Sequence, residues 1–382
     1  MLFHIYIHQK SNQIILMSKK LITLVVGARP NFMKIAPIIR EIENFPDELE
    51  YRLIHTGQHS NKKMNDVFLK ELGIPEPDIF LNGNGGTHAE QTARIMIDFE
   101  TDCIQNKPDI VLVVGDVNST LACSIVAKKL FLKLVHVEAG LRSFDRNMPE
   151  EINRIITDSI SDLLFATEPD GVSNLLKEGH SKKTIHYVGN VMIDNLIYQE
   201  KKLNQIDNSV FKTNDLKKNL NQFIVLTMHR PSNVDDAEKL IQILKAVNKI
   251  SETIPVIFPI HPRTRLSLQK INFELGANVI CLEPLPYMEF LNLWRDATIV
   301  LTDSGGLQEE TTALRVPCIT LRENTERPIT VEEGSNNLVG TKYIDIIQNV
   351  DALLKKNVQN YNLPKYWDGL ASKRIVKVLL EN

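Results

Sequence analysis

The stretch Ala297-Thr298-Ile299-Val300-Leu301-Thr302-Asp303-Ser304-Gly305-Gly306-Leu307-Gln308-Glu309-Glu310 decides the fold. Its apolar first half, residues 297–301, reads as a buried strand, and the residues after Gly306 have helical spacing. A strand that runs through Ser-Gly-Gly into a helix presents bare backbone N–H groups and a hydroxyl at a helix N-terminus. Such a junction suits an anion: Ser304, Gly305 and Gly306 let a phosphate come close, and the helix dipole favours its charge. Glu310, six residues past Ser304, is placed to accept hydrogen bonds from a ribose diol. The segment reads as the diphosphate and ribose half of a nucleotide-sugar site. The competing reading is a strand–turn–helix junction whose glycines merely relieve crowding.

On either side of this stretch, short β-rich runs alternate with amphipathic helical segments, the pattern of a parallel sheet covered on both faces. Strands are expected at 21–26, 51–56, 110–114, 134–137 and 163–166. Helices are expected at 31–43, from the capping box Thr87-His88-Ala89-Glu90 to about 103, at 118–129, and from Pro149 to about 161. The polar stretch 201–221 interrupts the alternation, which restarts with strands at 223–227, 255–260, 279–282, 298–302 and 317–321 and a helix from Asp235. The chain's 382 residues exceed one ordinary core, so two α/β lobes sharing a cleft at their strand ends are expected. The first lobe is placed at 18–188 and the second, nucleotide-binding lobe at 189–365, with a last helix (366–382) packing back on the first. Hinges are expected at 201–221 or at Val188-Gly189-Asn190. Met17-Ser18-Lys19-Lys20 reads as a natural start, and residues 1–17 are an extension without an assigned role.

A hydrophobic content of 43%, a charged content of 24% and a net charge of −3 describe a globular protein without the basic surface that nucleic acid or an anionic membrane would need. No apolar run approaches the roughly 20 residues that span a bilayer, and no signal-peptide pattern opens the chain. Cys103, Cys123, Cys281 and Cys318 are widely spaced in apolar runs and read as buried thiols of a reducing cytoplasm. Gly27-Ala28-Arg29-Pro30 has one glycine, so it is neither the GxGxxG fingerprint nor a P-loop, and no redox cofactor is expected. No HxxxH or HxH spacing points to a metal.

Three acids fall at or just past strand ends. Asp116 follows Val111-Leu112-Val113-Val114-Gly115, Glu138 lies in His136-Val137-Glu138-Ala139-Gly140, and Glu150 follows Pro149. An acid directly after a buried strand is costly unless it is paired or functional. The structural alternatives are an N-cap role for Asp116 and a surface ladder of Glu150, Arg154 and Asp158 at i, i+4 spacing. Arg29 and Lys34, at a strand end and helix start, suit a departing diphosphate. His229, in Thr227-Met228-His229-Arg230, suits phosphate binding or proton transfer, and His261, in Pro259-Ile260-His261-Pro262-Arg263, an anion site.

In this order the motifs resemble the non-hydrolysing UDP-N-acetylglucosamine 2-epimerases over residues 21–341. The likeness is carried by Gly27-Ala28-Arg29-Pro30 with Lys34, the HVEAGLRS stretch 136–143, Pro149-Glu150-Glu151-Ile152-Asn153-Arg154, residues 302–310, and Thr325-Glu326-Arg327-Pro328. The resemblance implies two Rossmann-like lobes of the GT-B type with the active site in the cleft between them, a homodimer, a UDP-sugar substrate and no cofactor. It implies that Asp116, Glu138 and Glu150 are the catalytic acids, with His229. It places Arg29, Lys34, Arg142, His261, Ser304, Gly305, Gly306 and Arg327 around sugar and diphosphate, Glu310 on the ribose and Phe290 on the uracil. The implied chemistry is elimination of UDP to a 2-acetamidoglucal and re-addition after protonation of C2 on the opposite face. That chemistry needs a carboxyl able to donate at neutral pH, so at least one of the acids is expected to have a raised pKa. Two departures stand out. Asn31 occupies a place where many members have an acid, and 55–61 keeps Gln58 but otherwise departs from the stretch that binds an activating substrate. A 2-epimerase of a modified UDP-sugar such as a diacetamido-uronic acid, a GT-B glycosyltransferase, a hydrolysing epimerase and a non-catalytic sensor remain alternatives.

Overall fold

The computed structural model describes residues 19–58, 69, 72–355 and 361–382; the expected extension 1–17 and positions 59–61 lie outside them. The first sheet consists of β1 (Lys20–Val26), β2 (Leu49–His55), β3 (Ile79–Phe80), β4 (Ile110–Val114), β5 (Lys133–Ala139), β6 (Leu163–Ala166) and β7 (Ile185–Tyr187), in the order β3-β2-β1-β4-β5-β6-β7. The second consists of β8 (Ile224–Thr227), β9 (Val256–Pro259), β10 (Val279–Leu282), β11 (Ile299–Thr302), β12 (Cys318–Thr320) and β13 (Asn336–Leu338), in the order β10-β9-β8-β11-β12-β13. Every pairing is parallel. Helices cover both faces of such sheets, and β4 is accordingly apolar throughout, with all five of its residues buried. These are two Rossmann-like lobes of the GT-B type. Strand order reverses beside β1/β4 and β8/β11, and the carboxyl ends there form the crevices in which such folds bind ligands.

The lobes are tied by more than a linker. The helix Val191–Leu203 packs on Arg29–Ile42 of the first lobe and on Gly305–Ala313 of the second. The last helix, Ala371–Glu381, lies on Arg29–Ile42, where Ile375, Val376 and Leu379 join the first-lobe core. Its N-terminus is capped from a distance: Ala371 N and Ser372 N donate to the Asp194 carboxylate at 3.0 and 2.7 Å. The two chain crossings run side by side, for a Cβ on Gly189 (φ +90°) would lie 2.2 Å from the Tyr366 carbonyl oxygen. Only glycine fits that position.

Thr87 and Glu90 form the capping box, with hydrogen bonds of 3.2 and 2.8 Å, at the start of His88–Gln105. The expectation of four buried thiols needs correction. All four are free, but Cys281 is exposed because β10 is an edge strand with one face open to water. Among the described residues no helix is long and apolar enough to cross a membrane.

Candidate active site between the lobes

The second lobe contributes its half of the cleft from the ends of β8 and β11. Asp303, fully buried, accepts from the backbone N–H groups of His229 and Arg230 at 3.1 and 3.0 Å, clamping one strand end to the other. These hydrogen bonds and His229 hold its pKa down in spite of burial. The His229 ring, 42% exposed, places Nδ1 3.2 Å from the same carboxylate. Ser304 is the N-cap residue of the helix Gly305–Ala313, and its side chain makes no capping hydrogen bond. A Cβ on Gly306 would meet nothing within 4 Å, and one on Gly305 would only reach ordinary contact with Arg230 at 3.6 Å. The fold therefore does not need glycine at either place, which removes the crowding alternative and leaves close approach of a ligand. One turn on, Glu310 accepts from the Tyr287 hydroxyl at 3.0 Å, and burial together with Glu309 pushes its pKa up to about 7. Phe290, on Tyr287–Trp294, lines the same wall.

The first lobe contributes the acids. Glu138 interrupts the register of β5 against β6 and has φ +75°, a left-handed conformation rare for a side chain of its size. Strain of this kind persists where the surroundings over-determine it, and it redirects the carboxylate. Glu138 forms an ion pair with Lys34 Nζ, and its Oε1 lies 2.8 Å from Arg327 Nη2 of the second lobe. Arg327 Nε lies 2.7 Å from Glu309 Oε1, which also accepts from Asn190 Nδ2 at 2.8 Å. The pair thus links both lobes to Asn190 at the chain crossing. Gly115 (φ +68°) gives room, since a Cβ there would come within 3.0 Å of Lys34 Nζ. Asp116 is bound by Arg154 Nη2 at 2.5 Å, and the same guanidinium holds Glu151 at 2.7 Å. Asn31 acts as a clamp: Oδ1 accepts from Gly27 N and Ala28 N at 3.1 and 2.9 Å while Nδ2 donates to Val114 O.

A cavity of about 580 Å³ between the halves is lined by Lys34, Asp116, Glu150, His229, Phe290, Ser304, Gly305, Gly306, Glu310 and Arg327 among others, and Glu138 meets it through Lys34 and Arg327. Three expected residues are not in the lining of this cavity, although the His261 ring lies 5.7 Å from that of His229. Arg29 is exposed at the start of Arg29–Ile42, where Pro30 lines the cleft instead. Arg142 is spent on Asp158 and Glu178, at 2.7 and 2.6 Å. His261 caps the helix Pro262–Ile271, its Nδ1 accepting from Arg263 N at 3.2 Å.

Both structural alternatives fail. Val117, not Asp116, is the N-cap of Asn118–Lys129, and Arg154 pairs with Asp116 and Glu151 while Asp158 binds His136 Nδ1 at 2.6 Å. The expectation of a raised pKa within the acid trio is not met at Glu138. Burial raises it, but Lys34 and Arg327 outweigh burial and hold it at about 2. Raised carboxyls lie elsewhere: burial lifts Glu310, Glu309 and Glu168, the last to about 8. Sequence reasoning missed Glu168, Glu309 and the positioning role of Arg154. The signal for Glu309 was present, since two adjacent acids in a nine-residue helix cannot both face water when its neighbours are buried. Among the described residues no group of three or more His, Cys, Asp or Glu side chains is arranged to hold a metal.

Comparison with known proteins agrees with this geometry. The family model described as UDP-N-acetylglucosamine 2-epimerase matches residues 40–380. The chain is 44% identical to the UDP-N-acetylglucosamine 2-epimerase of Methanocaldococcus jannaschii, with 94% of this chain and 98% of that protein covered. It is 39% identical to the UDP-2,3-diacetamido-2,3-dideoxy-D-glucuronate 2-epimerase of Pseudomonas aeruginosa, with 94% and 99% covered. The crystal structure of the M. jannaschii enzyme in complex with UDP-GlcNAc and UDP superposes with a TM-score of 0.84 at 42% identity, covering 95% of this chain and all of that one. The strained Glu138, the open Ser-Gly-Gly helix start and these likenesses together make the chain a member of the UDP-N-acetylglucosamine 2-epimerase family.

Proposed function

We propose that this protein interconverts UDP-N-acetylglucosamine and UDP-N-acetylmannosamine by non-hydrolysing epimerisation at C2, supplying ManNAc-type donors for surface polysaccharide. The observation that carries the reading is the opposition of two halves across one cleft: carboxylates Asp116, Glu138 and Glu150 on the first lobe, and an anion cradle at Ser304, Gly305 and Gly306 on the second. In this reading the second lobe holds UDP, with Phe290 against the uracil, Glu310 on the ribose and the helix N-terminus on the diphosphate. The sugar then reaches the acids. A carboxylate takes the C2 proton, the C–H electron pair becomes the C1=C2 bond, and UDP departs with the C1–O pair. Protonation of C2 on the other face and return of UDP to C1 complete the inversion. Lys34, His229 and Arg327 supply positive charge or donors where negative charge develops.

The test is proton NMR of the protein with UDP-GlcNAc in D₂O. UDP-ManNAc carrying deuterium at C2 is the expected product, and unchanged substrate with no exchange refutes the reading. Similarity to the Pseudomonas enzyme favours a diacetamido-uronic acid as the second candidate, to be run in parallel. We extend the proposal to a cytoplasmic homodimer; Ile97 and Ile104, 65% and 67% exposed on His88–Gln105, offer an apolar face, and sedimentation equilibrium tests it.

A further inference from the structure

Glu168 is the residue after Thr167 at the end of β6 and stands at the N-cap position of the helix Pro169–Lys177. It makes no capping hydrogen bond, so the ordinary reason for a polar side chain there is missing. It is 1% exposed, and its Oε1 has no hydrogen-bond partner. A buried carboxylate left in that condition is costly, whereas a carboxylic acid is far less so.

The charges around it do not balance if it is ionised. Arg327 and Glu309 of the second lobe, Glu138 of β5 and Asp170 of its own helix act on it through space, as it does on Tyr187 at the end of β7; Arg327 forms its ion pairs with Glu138 and Glu309 instead. Lys34 is taken up by Glu138. In the adjoining cavity Arg230 and Arg322 are taken up by Glu326, and Arg142 by Asp158 and Glu178. Glu138 and Glu309 thus occupy both nearby cations, Lys34 and Arg327, and the third buried carboxyl, Glu168, is left without one, so that one proton closes the balance.

We infer that Glu168 is a positioning residue that works through Arg327. Neutral, it leaves the guanidinium to Glu138 and Glu309 and so keeps the two lobes in register; ionised, it competes for Arg327 in the empty cleft, breaks that register and withholds the cation from the incoming diphosphate. Glu168 holds this proton to about pH 8, with burial the main cause. Activity is accordingly present below that pH and lost above it.

The kinetic test rests on the epimerase reading; the spectroscopic one does not. Wild-type kcat is expected to fall about tenfold per pH unit above pH ~8, the slope of a single proton, while Glu168→Gln holds its kcat through that range. Difference infrared spectra of wild type minus E168Q at about pH 6 are expected to show the carbonyl band of one protonated carboxyl, which in the wild type disappears near pH ~8. The proposal is overturned if E168Q keeps the wild-type alkaline limb, or if the band is absent. A protein that turns over no UDP-sugar fails the epimerase reading, and the infrared band still decides the state of Glu168.

Discussion

Replacing Arg327 with Met removes the guanidinium that lies 2.8 Å from Glu138 and 2.7 Å from Glu309 while keeping most of the apolar stem. Glu138 is 9% exposed, and Lys34 and Arg327 hold its pKa at about 2 against an ordinary value of ~4.3. Two units or so correspond to ~3 kcal/mol. Because the folded pKa is depressed, this stability is present above the unfolded pKa and is lost as pH falls through the folded one. In Arg327→Met the two carboxylates lose their common cation, and breaking a buried pair from one side costs about 3–5 kcal/mol. The loss is largest at pH ~8 and shrinks toward pH ~5, where Glu138 and Glu309 can take up protons. Urea unfolding followed by fluorescence of Trp294 and Trp367, both buried, reads the difference across that range. A loss below ~1 kcal/mol, or one of equal size at both ends of the range, would refute the assignment of Arg327 as the charge that joins the lobes.

Three further outcomes are expected. Asp116→Asn lowers turnover by about 10²–10⁴-fold with UDP affinity retained by calorimetry, and near-normal turnover contradicts its place among the acids. Gly306→Ala folds at least as stably as the wild type, gaining up to ~1 kcal/mol of helix propensity, yet binds UDP about tenfold or more weakly; Gly27→Ala instead loses stability, because its Cβ would lie 2.0 Å from Ser119 Oγ. Equal effects of the two substitutions on melting and on UDP titrations would remove the contrast. Glu310 is neutral below about pH 7 and is the stronger acceptor above it, so UDP affinity rises between pH ~6 and ~8, and Glu310→Gln flattens that rise. A wild-type profile in the variant would take Glu310 off the ribose.

The central strands were legible because a strand buried on both faces must be largely apolar: β4, β8 and β11 stand out as runs of Val, Ile and Leu. The edge strands β3, β7 and β13, two or three residues each, carry no such run and escaped notice. Candidate site residues at the ends of legible strands, among them Asp116, Glu138, His229 and Ser304, were legible with them and lie in or beside the cleft. What escaped was the pairing. Nothing in Pro149-Glu150-Glu151-Ile152-Asn153-Arg154 says that Arg154 also turns to Asp116, because that partner lies 38 positions away. Arg142 misled for the same reason: its fate depends on Asp158 and Glu178, which the fold alone brings to it.

The charge arrangement matches what the proposed reaction demands. A carboxylate held at about pH 2 by two cations is a poor base for a carbon acid, so Glu138 in the resting cleft is in a state unsuited to taking a proton from C2. Both of its cations, Lys34 and Arg327, also line the cavity that the diphosphate and sugar are proposed to enter. A diphosphate competes for them with at least as much negative charge, and every increment of cation that moves to it raises the basicity of Glu138. Substrate entry would then activate the base and steady the leaving group in one redistribution of charge. The strain at Glu138 belongs to the same logic: a left-handed residue at a bulge keeps the carboxylate aimed across the cleft whichever partner its cations choose.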